Sequence, residues 1–203
     1  MKILAFDTSS VRLTAGIYDG QRLLAASVSE GDGRHSGALV PVLEKLLKKA
    51  RVPVRKVECI AVGLGPGSFT GLRIALTTAK LLSYALGARL IGISSLEACV
   101  RGQKEEGDYA VVLDAKRGQI YAAVYRLKKG RWSALRKPAL FVREDFLKSL
   151  GASVKILDSA LPDAAKIAEA ALERIASKKF DDPFSLEPAY LRPKDCNVTP
   201  RKK

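Results

Sequence analysis

Ile3-Leu4-Ala5-Phe6-Asp7, followed by the apolar segment at residues 13–18, is the stretch that decides the fold, because its pattern occurs twice. A short apolar run closed by an acid predicts a buried strand, and the next segment predicts a neighbouring strand. Asp19-Gly20 tolerates the positive φ that a tight hairpin turn requires. Residues 22–28 predict a third strand, so the chain is expected to begin as a meander.

A second copy of this pattern begins near residue 110. Ala110-Val111-Val112-Leu113-Asp114 repeats the apolar run with its acid, and residues 120–125 repeat the following strand. Asp7 and Tyr18 are eleven residues apart, as are Asp114 and Tyr125. The repeat predicts two similar α/β lobes with a cleft between them. The alternative is a chance likeness between two apolar strands.

Helical patterns fill the segments around the two copies. A helix is expected after Ser36 and another from Thr70 to Leu86, with Gly87 as its terminator. Further helices are expected at residues 143–150 and 162–178. Strands are expected at 57–64, 89–93 and 154–157. The predicted boundaries are 1–104 for the amino-terminal lobe, 105–186 for the carboxy-terminal lobe and 187–203 for an extended basic tail.

Composition restricts the class of protein. The 203 residues are 47% hydrophobic, enough for a substantial core, and carry a formal charge of +14. Such a charge favours polyanionic or acidic partners, although a solvated lysine-rich surface would explain it as well. Cys59, Cys99 and Cys196 form no C-x-x-C pair, which argues against a disulfide framework or a thiolate zinc site. Without a leader or a membrane-length apolar run, a soluble, cytoplasmic protein is expected.

Two segments have compositions that suit phosphate binding. The glycine-rich stretch at residues 63–71 lies between a predicted strand and a helix, where anions bind readily, but it matches neither a Walker loop nor a dinucleotide fingerprint. A structural crossover explains it equally well. Asp7, Thr8 and Ser9 could hold a magnesium-bound phosphate, or they could form an ordinary turn. His35 is the only histidine, which excludes a two-histidine metal site within the chain.

Several motifs together resemble the TsaB (YeaZ) family. The most specific is Gly65-Pro66-Gly67-Ser68-Phe69-Thr70-Gly71-Leu72-Arg73, and residues 3–10, 35–41, 92–97 and 188–192 add to it. The resemblance implies an actin-like, duplicated fold of the class shared by sugar kinases and heat-shock ATPases. It also implies a non-catalytic scaffold or activator that works with a TsaD-like catalytic subunit and a TsaE-like ATPase. These proteins transfer threonylcarbamoyl to N6 of adenosine 37 in tRNAs that read ANN codons.

The resemblance further implies which residues matter. The two helices would pair with the partner subunit, or with a second copy when the chain is alone, through His35, Leu39, Leu43, Leu46, Gly65, Gly67, Ser68, Thr70, Leu72, Arg73, Leu76 and Ala79. Asp7, Thr8 and Ser9 would be residual nucleotide-pocket positions, with no cofactor held by this chain alone and ATP or ADP at the interface of the complex. The chain departs from its catalytic relatives at one place. The resemblance implies two metal-binding histidines in TsaD-like chains at the positions of Ser95 and Cys99, and a serine and a cysteine are poor replacements for two imidazoles.

Two other functions stay open from the residues. One is a stand-alone nucleotide hydrolase or small-molecule kinase that uses Asp7, Thr8 and Ser9. The other is a basic tRNA-binding module driven by the net charge and the Arg201-Lys202-Lys203 end.

Overall fold

The computed structural model describes residues 1–30 and 35–192. This part of the chain contains nine strands and five helices, with a short 3₁₀ turn at Val54–Lys56. The elements are β1 (Lys2–Asp7), β2 (Arg12–Asp19), β3 (Arg22–Glu30), α1 (His35–Ala50), β4 (Cys59–Gly63), α2 (Phe69–Leu86), β5 (Arg89–Ile93), α3 (Ser95–Val100), β6 (Gly107–Asp114), β7 (Gln119–Lys128), β8 (Arg131–Val142), α4 (Arg143–Lys148), β9 (Lys155–Asp158) and α5 (Ala164–Ala176).

The strands form two sheets that repeat one topology. The first has the order β3-β2-β1-β4-β5 and the second the order β8-β7-β6-β9. In each, the first strand of the copy pairs antiparallel with its hairpin neighbour and parallel with a later strand. Asp7 and Asp114 are the last residues of the equivalent strands β1 and β6. The duplicated α/β fold predicted from the repeat is confirmed.

Helices α1 and α2 cover one face of the first sheet. Their apolar side chains pack with alternate residues of the strands, such as Leu4, Phe6 and Ile60, in one continuous core. Helix α2 begins at the cap residue Ser68, whose hydroxyl accepts a hydrogen bond from the Gly71 amide at 3.2 Å. It ends at Gly87, whose φ of 63° is left-handed, as the sequence predicts for a glycine terminator.

Helix α5 covers the other face of the first sheet, and this corrects the predicted lobe boundary. The range 105–186 placed this helix in the carboxy-terminal lobe. Instead, Ile167, Ala168 and Ala171 pack against Ile3 and Ile91 of the first sheet. The alanines leave little side chain on that face, which allows the helix to approach the sheet closely. The amino-terminal lobe is therefore completed by a helix from the end of the chain.

The last described residues return to the amino-terminal lobe as an extended strap. The Ala189 amide donates to the Leu64 carbonyl at 2.8 Å. The Arg192 guanidinium donates to the Ala115 carbonyl at 2.5 Å, which ties the strap to the second lobe as well. Residues 187–192 belong to no helix or strand, and the basic end at 193–203 lies outside the described residues, so the predicted extended course of the tail stays a prediction. Within the described ranges, no helix combines the length and the apolar character that crossing a bilayer requires.

Candidate functional site

The acid that ends β1 points into the protein. Asp7 is fully buried, and its Oδ2 accepts a hydrogen bond from the Ser95 hydroxyl at 2.6 Å. Its Oδ1 accepts another from the Ser9 amide at 2.6 Å. The carboxylate lies so close to Gly63 that a Cβ there would be 1.7 Å from Oδ2. Asp7 therefore joins β1, β4 and α3 to one another.

The glycine-rich loop packs directly on the bend after β1. Ser68 donates its amide to the Ser9 carbonyl at 2.6 Å, and the Thr8 hydroxyl donates to the Gly71 carbonyl at 2.7 Å. A Cβ on Gly67 would be 2.1 Å from the Ser9 carbonyl oxygen. These contacts support a structural role for the loop, in which its glycines allow the loop backbone to pack against the backbone of the bend after β1.

A cleft of about 470 Å³ separates the two lobes at this level. Ser9, Gly67 and Ser68 line one side, and Asp114 and Lys116 line the other. The Ser9 hydroxyl is buried and has no hydrogen-bond partner within the described part of the chain. Lys116 donates its amide to Asp114 at 2.8 Å, and the hydrogen bond from the Lys116 side chain lowers the pKa of Asp114.

Two of the three predicted nucleotide-pocket residues are engaged inside the first lobe. A magnesium-bound nucleotide needs a carboxylate near its phosphates, and the carboxylate that lines this cleft is Asp114 of the second lobe. Both oxygens of Asp7 accept hydrogen bonds from within the lobe, and the Thr8 hydroxyl is bonded to the loop backbone. Of the three predicted nucleotide-pocket residues, only Ser9 keeps an uncommitted polar atom at the cleft.

Ser95 and Cys99, the two positions at which the resemblance implied a histidine pair in the catalytic relatives, lie on α3. Ser95 is fully buried, and its hydroxyl accepts a hydrogen bond from the Gly65 amide at 3.0 Å while it donates to Asp7. Cys99 is 8% exposed and donates to the Ala160 carbonyl at 3.3 Å. Burial raises the pKa of Cys99 to about 12, which keeps the thiol protonated. Across residues 1–30 and 35–192, no three His, Cys, Asp or Glu side chains are grouped so that they could hold a metal ion.

The leucines predicted to line the partner face are inside the protein, and that part of the prediction was wrong. They are at most 4% exposed, and all of them except Leu72 belong to the core cluster of the first lobe, because the apolar stripes of α1 and α2 face the sheet. These residues are Leu39, Leu43, Leu46, Leu72, Leu76 and Ala79. His35 begins α1, but its side chain is outside the described part of the structure.

The outward faces of the same helices carry other apolar side chains. Val40 of α1 is 60% exposed, and Leu81 and Tyr84 of α2 are 64% and 72% exposed. Phe184 lies edge-on to Tyr84, with ring centroids 5.9 Å apart, and extends this surface. We refer to Val40, Leu81, Tyr84 and Phe184 as the outer patch. The spacing of apolar residues in the sequence could not distinguish these exposed side chains from the buried ones of the same helices, because α2 is apolar on more than one side.

The remaining predicted residues surround the start of α2. Gly65 is buried with a φ of 90°, whereas Ser68, Thr70 and Arg73 are exposed. The Arg73 guanidinium lies 3.9 Å above the Phe69 ring, and its Nε donates to the Tyr190 hydroxyl at 3.1 Å. Phe69 and Tyr190 are themselves in ring contact at 5.2 Å. Arg73 thus fixes the carboxy-terminal strap to α2, a role that the sequence did not indicate.

Comparison with known proteins agrees with this geometry. Residues 29–186 match the family model described as TsaD: tRNA N6-adenosine threonylcarbamoyltransferase. The chain belongs to this family. Within it, the chain is 34% identical to the tRNA threonylcarbamoyladenosine biosynthesis protein TsaB of Bacillus subtilis over 131 residues, which are 64% of this chain and 57% of that protein. It is 30% identical to TsaB of Escherichia coli over 137 residues, 65% of this chain and 58% of that protein.

Solved structures in the TsaB (YeaZ) branch of the family have the same fold. YeaZ from Pseudomonas aeruginosa superposes with a TM-score of 0.82 at 24% identity, and the match covers 94% of this chain and 99% of that one. A second Pseudomonas aeruginosa protein, described as similar to the peptidase YEAZ, gives a TM-score of 0.84 at 23% identity over 94% and 99% of the two chains. The resemblance to TsaB drawn from the sequence motifs is confirmed. The chain spans less than two thirds of the curated relatives given above.

Proposed function

We propose that this chain is a non-catalytic subunit that supports a TsaD-like partner in transferring threonylcarbamoyl to N6 of adenosine 37 of tRNAs that read ANN codons. The observation that carries the proposal is the use of Asp7, Ser95 and Cys99 in the hydrophobic and hydrogen-bonded interior. In a catalytic relative, these positions would supply a metal or nucleotide site. Here their polar atoms are already bonded within the chain, so the chemistry would have to come from a partner.

The outer patch supports pairing as the means of action. Monomeric proteins rarely leave large apolar side chains grouped on one surface unless another molecule covers them. Val40, Leu81 and Tyr84 lie on the two helices that the family resemblance assigns to the partner interface, and each is more than half exposed. Tyr84 is of the residue type enriched at energetically dominant contacts. We therefore move the proposed interface from the buried leucines to the outer patch, and we keep the exposed Ser68 and Thr70 at the start of α2 as further candidates.

The partners and cofactors belong to the same proposal. A TsaD-like subunit would provide the transferase centre, a TsaE-like ATPase would drive turnover, and tRNA would reach the chain through the complex. ATP or ADP would bind at the interface of the complex, because the Asp7 carboxylate and the Thr8 hydroxyl of this chain are engaged in hydrogen bonds within the lobe. When no partner is present, a second copy would cover the outer patch.

The test is reconstitution with the TsaD-like and TsaE-like proteins of the same organism. Threonylcarbamoyladenosine in an unmodified tRNA transcript would be measured by mass spectrometry of the digested nucleosides. The proposal expects product only when this chain is present, and a complex of this chain with the TsaD-like subunit on a sizing column. Full activity without the chain would overturn it.

The stand-alone hydrolase is tested on the chain by itself. The proposal expects ATP turnover no faster than that of a blank preparation. Brisk hydrolysis that is lost in both Asp7→Ala and Ser9→Ala would favour the enzyme instead. Ser9→Ala is needed because Asp7→Ala also removes internal hydrogen bonds, whereas the Ser9 hydroxyl has no partner among the described residues.

A further inference from the structure

One end of the amino-terminal lobe concentrates positive charge. Strands β1, β4 and β5 run parallel in register, so that Ile3, Cys59 and Arg89 lie side by side near the beginning of the three strands. Helix α1 ends just before this edge and leads into it through the exposed 3₁₀ turn Val54–Lys56. The segment that follows helix α5 reaches this edge too, because the Arg89 guanidinium lies 5.1 Å from the Phe180 ring.

Eight exposed cations meet at this end, which we call the basic pole: Lys48, Lys49, Arg51, Arg55, Lys56, Arg89, Lys178 and Lys179. Only Lys48 has an ion-pair partner among the described residues, Glu44 at 2.7 Å. Of the other carboxylates near the pole in the described chain, Asp19 pairs with Lys2 and Asp181 pairs with Arg174, both cations outside the eight, which leaves Glu58 and Asp182. Three carboxylates against eight cations leave an excess of five positive charges.

Neutralising the helix dipoles does not account for this excess. Helices α1, α2 and α5 all end at the pole, and each carboxyl terminus carries about half a negative charge. Three termini therefore offset about 1.5 charges. More than three positive charges stay uncompensated on a surface whose lysines and arginines are free to reach a ligand. Such a cluster attracts a polyanion and releases its counterions.

The pole lies opposite the interlobe cleft. Asp7 and Gly63 end β1 and β4 on the cleft side, whereas the pole is formed by the first residues of those strands. The outer patch approaches the pole at the end of α2, through Tyr84 and Phe184. A nucleic acid bound at the pole would thus lie beside the surface proposed for the partner subunit, without entering the cleft.

We infer that the basic pole binds the phosphate backbone of RNA, so that this subunit contacts the tRNA directly instead of only through its partner. This inference rests on the proposed function, which supplies tRNA as the substrate. A phosphate backbone fits the pole better than an acidic protein surface does, because the cations are spread over three separate segments that follow a strand edge instead of forming one compact pocket. Backbone contacts also require no fixed geometry of the lysine side chains.

The test measures binding of the purified chain to an unmodified tRNA transcript by fluorescence anisotropy between 50 and 200 mM salt, a range of about fourfold over which phosphate contacts weaken strongly. The pole variant combines Lys49→Glu, Arg55→Glu and Lys179→Glu. The matched control combines Lys104→Glu, Lys128→Glu and Arg131→Glu, which are exposed residues in the second lobe or in the segment that leads into it. Both variants change the net charge equally, and both should keep the melting temperature of the parent.

The expected result is a loss of at least roughly tenfold in affinity for the pole variant, with a salt slope shallower by about 2 to 3. The control should bind within about threefold of the parent, an effect of net charge alone. Equal weakening in both variants, or an unchanged slope in the pole variant, would overturn the inference. The inference would also be overturned if polyglutamate displaced the labelled tRNA as effectively as unlabelled tRNA does at equal total charge.

A pairing measurement separates this inference from the proposed function. The pole variant should still co-elute with the TsaD-like subunit, because the outer patch is unchanged. If the parent chain pairs and supports modification while its RNA binding does not depend on the pole, the inference is wrong and the proposed function stands. If the parent chain neither pairs nor supports modification, the proposed function is wrong.

Discussion

Helix α2 presents two apolar faces with opposite surroundings. Leu76 on the inward face is 4% exposed and packs with the first sheet, whereas Leu81 on the outward face is 64% exposed. Amphipathic helices of monomeric proteins usually turn a polar face to water. The inward face is explained by folding, and we propose that the outward face is covered by a second molecule. Under this proposal the same residue type serves two purposes on one helix.

The two acids that end equivalent strands show the same contrast. Asp7 is fully buried and bonded to Ser95, whereas the Asp114 side chain is 56% exposed and pairs with Lys116 at 2.9 Å. Duplication preserved the position of the acid but not its surroundings. In the first lobe the acid holds the strands together, and in the second it lies on the surface of the cleft.

The largest expected effect separates the two faces of α2. Leu76→Glu places an unpaired carboxylate in the core, so the free energy of unfolding should fall by about 4 kcal/mol or more. Leu81→Glu should leave the urea midpoint nearly unchanged, because the side chain is already in water. Chemical denaturation of both variants checks this. Equal stability of the two would mean that the faces are assigned incorrectly.

A somewhat smaller effect separates the two acids. Asp7→Ala leaves the Ser9 amide and the Ser95 hydroxyl without their acceptor, which should cost about 3 kcal/mol of stability. Asp114→Ala should leave the melting temperature unchanged within error. Thermal unfolding of the two variants tests the difference. A stable Asp7→Ala protein would contradict the structural role given to this acid.

Gly63→Ala tests the close contact that fixes Asp7 from the opposite side. The added Cβ would be 1.7 Å from Asp7 Oδ2, so the carboxylate or the strand must shift, at a cost of about 2 kcal/mol. Gly102→Ala is the control, since nothing lies within 4 Å of its Cβ position. Unfolding curves of the pair should differ clearly. Identical curves would show that the interior around Asp7 is loosely packed.

The smallest expected effect concerns two ion pairs of different burial. The Arg101 side chain is 3% exposed and bonds Glu173, and this hydrogen bond lowers the pKa of Glu173 from its usual 4.5. A lowered folded-state pKa contributes stability above pH 4.5 that is lost as the pH falls through the folded value. Glu173→Gln should remove at most about 1 kcal/mol at neutral pH, because Glu173 itself is half exposed.

The pH dependence supplies the measurement for this pair. The stability difference between Glu173→Gln and the parent should shrink as the pH falls below the usual range of a glutamate. Glu105→Gln is the control, because its partner Lys155 has a side chain that is 47% exposed. A difference for Glu173→Gln that stays constant down to strongly acidic pH would contradict the proposed cause.

The sequence predicted the duplicated fold but not which surfaces stay exposed. Apolar runs closed by Asp7 and Asp114 were enough to indicate two copies, since strand pairing follows local patterns. The packing of α5 on the first sheet was missed, because a helix at the end of the chain carries no signal for which sheet it covers. The outer patch was missed for a related reason: Leu76 and Leu81 look alike until the position of the sheet is known.

The candidate site was predictable in part. The replacement of two histidines by Ser95 and Cys99 could be recognised from the family resemblance, and the burial of both residues agrees with it. The inward direction of the Asp7 side chain could not be predicted from the sequence, because an acid followed by hydroxyl residues is compatible both with a turn and with a phosphate site. Only the contacts with Gly63 and Ser95 distinguish these two roles.

The most direct measurement of the central claim is pairing with the TsaD-like subunit through the outer patch. Titration calorimetry and light scattering would compare the parent with the double variant Leu81→Glu and Tyr84→Glu. The account predicts an unchanged melting temperature and an affinity weaker by at least about a hundredfold, since two exposed anchors are removed. A complex of the same mass and affinity would show that the outer patch is not the surface that the partner covers.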